Sequence, residues 1–421
     1  PIECEFLSSG VSRAEVLVRL PSLAFLVAAL LTGLLAGLVA PSFGAGAAAP
    51  RFVTGQAAVT VVGQKNFSAN IPGAAADELG TVTGLAVAGN RLIVCDGGLP
   101  FLAPNNHRIL IFPNLSELGV GAAAAVVIGQ PEFGKNTPGL SEKSFNNPIG
   151  ISTDGQRLAV ADTNNNRVLI FNRIPTENGA AAELVVGQSD FKSSAAGVGR
   201  GGLRAPNGVF LDGQRLFVAD TGNHRVLIFN SLPASNGAQA DVVLGQADFN
   251  ARADQAASAT SLRDPTSAFT DGLRLIVADL GHNRVLIWNR VPTSNNAAAD
   301  VVIGQPDFNS EAAGTGPASL DFPRHAFLAG GRLFLADAGN NRILIYEQLP
   351  TSNGVAADVV LGQADFRTAT APGTAPDRLT AGDLSTPLAL ASSGSGILVA
   401  DTGHRRAVSY THLTLPTNRE V

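Results

Sequence analysis

Methionine is absent from the 421 residues, tryptophan occurs once, and tyrosine and cysteine occur twice each. So little cysteine excludes a disulfide framework. Cys4 lies upstream of a long apolar run, which leaves Cys95 without a partner in the rest of the chain. Cys95 sits in the run RLIVCD, where other copies of a repeat carry Ala, and reads as a small core residue. Charge is sparse at 15%, with 29 Lys and Arg against 34 Asp and Glu and a net charge of -5. The excess of cations that neutralises phosphates is missing, so nucleic acid is not an expected partner. The motifs G-x-S-x-G, H-E-x-x-H, C-x-x-C and the Walker phosphate loop are also missing. No ready-made hydrolase, zinc-peptidase, redox or nucleotide site is written in the chain.

Glycine and proline are plentiful, at 46 and 24, beside 45% hydrophobic residues. That mixture suits many short strands joined by tight turns. The long apolar run, Leu23 to Ala40, comes after Arg13 and Arg19 and precedes small residues through Ala49. The order is that of a signal peptide, with an uncleaved membrane anchor as the alternative. Either reading exports the remainder of the chain, to a secreted, periplasmic or extracellular location, and limits membrane contact to this segment. No Cys stands just beyond the run, which removes a lipoprotein anchor. Because the chain starts at Pro1 without any Met, its beginning reads as a fragment of a longer reading frame. The final SYTHLTLPTNREV breaks with everything before it and resembles a translated sequencing adapter. The expected organisation is a leader over 1–49, a repeat domain over 50–410 and a non-native tail over 411–421.

The repeat domain announces itself through one phrase that occurs six times, from VVGQKNF to VVLGQADF. Its glycines, Gly63, Gly129, Gly187, Gly245, Gly304 and Gly362, are separated by 66, 58, 58, 59 and 58 residues. A second phrase, clearest as ADTGNHRVLIF over 219–229, falls between the copies. Each unit reads as four strands. In the third unit these are Asn207–Gly213, Arg215–Asp220, His224–Asn230 and Ala240–Gln246. The apolar runs are continuous rather than alternating, which implies strands covered on both faces, as when blades pack on blades. A turn glycine recurs between the first and second strands (Gly89, Gly155, Gly213, Gly272, Gly330, Gly394), three times after Asp, and predicts type I′ hairpins. The register at the ends predicts closure. Ala57–Gln64 is a fourth strand without its first three, and the last unit has three strands and no fourth. The fold class is therefore all-β: a six-bladed propeller of four-stranded blades, closed by the N-terminal strand and expected to be a monomer.

The phrases GQxxF and AD-x-G-N-x-R-V-L-I-F resemble the NHL repeat family of propellers, over residues 57 to about 406. The resemblance implies the propeller fold. The family includes extracellular proteins, scaffolds that bind proteins or RNA, and a zinc-dependent lyase, and related propellers include calcium-dependent lactonases. This repeat is longer than the commonest NHL unit, chiefly after GQxxF.

Six copies in one chain act as an internal control: shared residues build blades, and residues peculiar to one blade are functional candidates. The shared charges are Asp96, Asp162, Asp220, Asp279, Asp337 and Asp401, with Arg108, Arg167, Arg225, Arg284, Arg342 and Arg406. They read as structural ion pairs pinning the loop between second and third strands, and a ring of metal-binding carboxylates is the alternative. The phenylalanine of GQxxF reads as a core plug. Four histidines in these loops, His107, His224, His282 and His404, are expected to stand too far apart for zinc. No cofactor is expected, with zinc or calcium as the alternative. Long connections lead from fourth to first strands on the face where the channel opens, which makes that face the candidate binding surface. Residues entering the channel are Thr83, Ile149, Asn207, Thr266, Arg324 and Leu388. The outliers are Arg324 and His325, a cation beside an acid or base. The expected function is a binding scaffold for a protein, peptide or glycan, with Arg324, His325, Asn207, Thr266 and Thr83 as candidate contacts. An extracytoplasmic metal-dependent lyase or hydrolase is the alternative.

Overall fold

The computed structural model describes residues 51–99, 104–371, 378–394 and 396–411. They form six four-stranded antiparallel sheets, one per repeat. In the third blade the strands are Gly208–Leu211, Leu216–Asp220, Arg225–Phe229 and Val242–Leu244, each paired to the next. Side chains of a strand alternate between two cores. Val226 and Ile228 pack toward the fourth blade, while Leu227 and Phe229 pack toward the second. Because both faces are covered by neighbouring blades, the strand sequence is continuously apolar, as expected. The buried Cys95 belongs to one such core, between the first and second blades, with its Sγ 3.3 Å from the Pro148 carbonyl oxygen.

The chain closes as the register requires. Thr60–Val62 pairs with Arg406–Thr411 through Thr60 with Ser409, Val61 with Val408 and Val62 with Ala407. The last blade's strand thus runs to Thr411, one residue into the segment assigned to the tail, and Gln56 Nε2 donates to the Thr411 carbonyl at 2.7 Å. The leader over 1–49 and residues 412–421 lie outside the described residues. Among the described residues no helix is long and apolar enough to cross a membrane.

The hairpin turns differ from expectation. In blades two to four, Gly155, Gly213 and Gly272 have φ of 92°, 89° and 92°, but the residues after them do not have positive φ. That is a type II′ pattern; among the described residues only Gly330 and Gly331 in the fifth blade are both positive. The reason is the Asp before each glycine. It is not a central residue but precedes the turn, where Asp212 Oδ1 accepts from the backbone N–H groups of Gln214 and Arg215 at 3.0 and 2.6 Å.

The outer edges of the blades are capped from next door. Asn178 Oδ1 accepts the Val127 N–H at 3.0 Å, and Gly179 N–H donates back to the Val127 carbonyl at 2.9 Å. Asn236, Asn295 and Asn353 repeat the contact on Val185, Val243 and Val302. Exposed strand edges invite self-pairing, and this device covers them.

Candidate functional site: the channel and its loop-rich face

The Asp and Arg of each unit meet at the corner between second and third strands, where strand pairing sets them directly opposite. Arg225 Nε lies 2.7 Å from Asp220 Oδ2, and both side chains are 0% exposed. The other five pairs repeat this at 2.7 to 2.9 Å. The carboxylate is fully used. Asp220 Oδ1 accepts the Arg204 N–H at 2.7 Å, and Oδ2 also accepts from Asn223 Nδ2 at 2.8 Å. The guanidinium reaches the loops on either side: Arg225 donates to the Phe249 carbonyl after the blade, and to the Gly199 and Gly202 carbonyls, at 2.9 Å each, before it. Two successive long connections are thereby tied to one buried ion. Burial pushes Asp162 and Asp337 up to about 6 and Asp220 up as well, while the paired guanidinium pulls each down.

These bonds revise the role of the GQxxF phenylalanine. Phe249 and its equivalents are only half-buried at the edge of the cores, and the carbonyl is the part the arginines use, as for Phe191, Phe308 and Phe366. The buried plugs are Leu79, Phe145, Leu203, Leu262, Leu320 and Leu384, each 0 to 1% exposed, and the sequence reading missed them. The signal was present, because most stand 16 or 17 residues after the repeat glycine.

The four corner histidines occupy two kinds of position. His282 and His404 stand where Asn165, Asn223 and Asn340 stand elsewhere, and their Nδ1 atoms lie 2.8 Å from Asp279 and Asp401. His107 and His224 stand where Asn166, Asn283 and Asn341 cross to the next blade, each accepting an N–H just ahead of its first strand. All four therefore do asparagine's work. Burial lowers His107, whereas the Asp264 carboxylate, with its Oδ1 3.2 Å from Nδ1, favours the protonated form and raises His224.

The six first strands surround a cavity of about 350 Å³ that includes every channel residue expected from the sequence. They do not all offer free groups. Thr83 Oγ1 donates to the Pro148 carbonyl at 3.1 Å and Thr266 Oγ1 to the Arg324 carbonyl at 2.8 Å, so both hydroxyls brace the next blade instead of facing a ligand. Ile149 and Leu388 are apolar. Asn207 is half-buried, with its backbone N–H bonded to Ala219. The Arg324 Nε and the His325 Nδ1 are buried with no hydrogen-bond partner among the described residues. Burial lowers Arg324, with Asp264 opposing, and lowers His325 to about 4.

The NHL repeat is matched at residues 145–171 and 203–229, which span the first three strands of the second and third blades. No curated protein matches the sequence. Among solved structures the chain is similar to an auxiliary nutrient binding protein from Bacteroides thetaiotaomicron, at 10% identity and a TM-score of 0.46 over 84% of this chain and 76% of that one. It is also similar to Kuenenia stuttgartiensis hydrazine synthase, at 11% identity and 0.43 over 80% and 97%. A nidogen/laminin complex is matched at 12% and 0.36 over 68% and 85%. At such identities the likeness concerns the fold alone. With the repeat matched in two blades, and one strand order and one buried Asp–Arg corner common to all six, the chain is a six-bladed β-propeller of NHL repeats.

Proposed function

We propose that this propeller is an exported binding scaffold that engages a protein, peptide or glycan on the face where its channel opens. The observation that supports it is the division of labour among the repeats. Residues common to all blades are spent on holding the long connections through buried, charge-assisted bonds, while the channel-mouth positions differ from blade to blade. Loops held in this way are ordered before a partner arrives, which lowers the entropy lost on binding. Asn207 and Arg324 are the contacts we assign to the partner.

Two measurements on the purified protein test the reading. Arrays of immobilised peptides and glycans should retain the wild type through a subset of spots, with retention weakened by Asn207→Ala. Asp220→Ala, which strands a buried Arg225, should lower stability by about 3–5 kcal/mol in chemical denaturation and leave metal content unchanged. An Asp220→Ala protein that is more stable, and that loses stoichiometric zinc or calcium present in the wild type, would instead favour a metal-dependent lyase or hydrolase.

A further inference from the structure

The channel wall is asymmetric in a way the blade architecture does not require. Phe210, Phe269 and Phe327 stand on three successive blades, with ring centroids 4.9 Å and 6.3 Å apart along the row. Strand register pairs them with Phe217, Ile276 and Phe334; the residues paired at the same level in the other blades are Ala86, Ser152 and Ala391. One half of the channel is therefore an aromatic arc. The other half is held open by small side chains, leaving the 350 Å³ space between them.

Around this apolar space the fourth and fifth blades bury three polar atoms without partners among the described residues: Ser267 Oγ, Arg324 Nε and His325 Nδ1. Ser267 and His325 pair with Ala278 and Ala336, the level at which other blades carry Gly84, Gly208 and Ala389. Small residues suffice there, because a Cβ at Gly84 or Gly208 would come within 2.7 or 2.4 Å of a carbonyl oxygen of the next blade. Ser267 and His325 are thus additions to the repeat. Arg324 takes part in no ion pair among the described residues, unlike the six arginines of the corners. Its Nε is buried without an acceptor, which is costly unless a ligand brings an anion.

We propose that the channel is a binding site for a small organic carboxylate with an apolar body, its carboxylate on Arg324 and its body against the phenylalanine arc. A guanidinium matches a carboxylate in planarity and charge. One cation among apolar walls balances one negative charge, which selects a monocarboxylate over a phosphate dianion. The space equals roughly a dozen water molecules at about 30 Å³ each, the scale of an arylalkanoic acid. This site is the channel itself, so it shares Arg324 with the contacts assigned to the macromolecular partner, and the two readings are told apart by their probes.

Calorimetric titration of the full chain with 3-phenylpropionate, its primary amide and phenyl phosphate tests the assignment. The acid should bind and raise the melting temperature, and the amide should bind at least about tenfold more weakly. Arg324→Gln should reduce affinity for the acid by at least about tenfold while leaving the amide unchanged. Should that variant fail to fold, the comparison of acid with amide on the wild type still decides. No binding of the acid, equal affinity for acid and amide, or an Arg324→Gln protein with undiminished affinity would overturn the proposal. Phenyl phosphate binding more tightly than the acid would overturn the choice of carboxylate. Because macromolecular binding is read from peptide and glycan retention, and the carboxylate site from the difference between acid and amide, failure of either reading leaves the other standing.

Discussion

His325 illustrates how much one position depends on its surroundings. Its imidazole is held down to about 4 because burial in the channel wall strips water from the protonated form. The side chain is half-buried and borders a cavity large enough for water, so part of that burial cost is relieved. In the unfolded chain an imidazole titrates near 6.5, so between about 6.5 and 4 the unfolded state binds more protons than the native one. The contribution of His325 to stability is complete above that window and is lost as pH falls through it. Wild type should lose about 1–2 kcal/mol more than His325→Gln between pH 7.5 and pH 5 in urea unfolding. Equal losses would show that the imidazole is protonated without penalty. At this scale the sequence was read through deviations from the repeat, which exposed Arg324 and His325. It did not expose Ser267, since serine is ordinary in a strand until its hydroxyl is found unpartnered. Nor did it reveal that Thr83 and Thr266 are occupied, because their acceptors belong to the next blade.

Glycines separate what an element needs from what its neighbours need. Gly213 in the third blade's hairpin has φ of 89° with nothing within 4 Å of where a methyl would stand, whereas at Gly245, with φ of 87°, a methyl would come 2.7 Å from Leu262. The first position demands only backbone freedom; the second demands freedom and space. Gly213→Ala should cost about 1–2 kcal/mol, the strain of a left-handed residue, and Gly245→Ala at least about 3, with overpacking added. Thermal melts of the two variants check the order, and equal losses would contradict the role assigned to the Leu262 plug. The recurrence of Gly-Gln predicted a strand end in each unit. That the glycine backs onto a leucine 16 or 17 residues later could not be read from spacing alone, because the loop must first be folded over it. The Asp before the hairpin glycine carries the same lesson: its spacing fits both turn types, and the carboxylate's bonds to the N–H groups after it decide between them.

For the whole molecule, the contact that matters most joins the two ends of the described chain. Residues 51–64 supply Val61 and Val62 to two different cores, and Phe52 to the core between the fifth and sixth blades. Each buried apolar side chain of this kind contributes about 1.5–3 kcal/mol, so deleting the chain up to Gln64 should lower stability by several kcal/mol and expose the edge of Arg406–Thr411. Deleting residues 412–421 should have little effect. Equal falls in melting temperature would refute the closure. The sequence by itself determined the strand count, the six-fold repetition, the unpaired strands at the ends and the Asp–Arg pairs, because repeated apolar runs and turn residues are local signals that each copy restates. Only the tertiary structure decided which polar groups of the channel are spent and which are not, since the acceptors of the Thr83 and Thr266 hydroxyls belong to the next blade, while Ser267 Oγ and Arg324 Nε find no partner among the described residues.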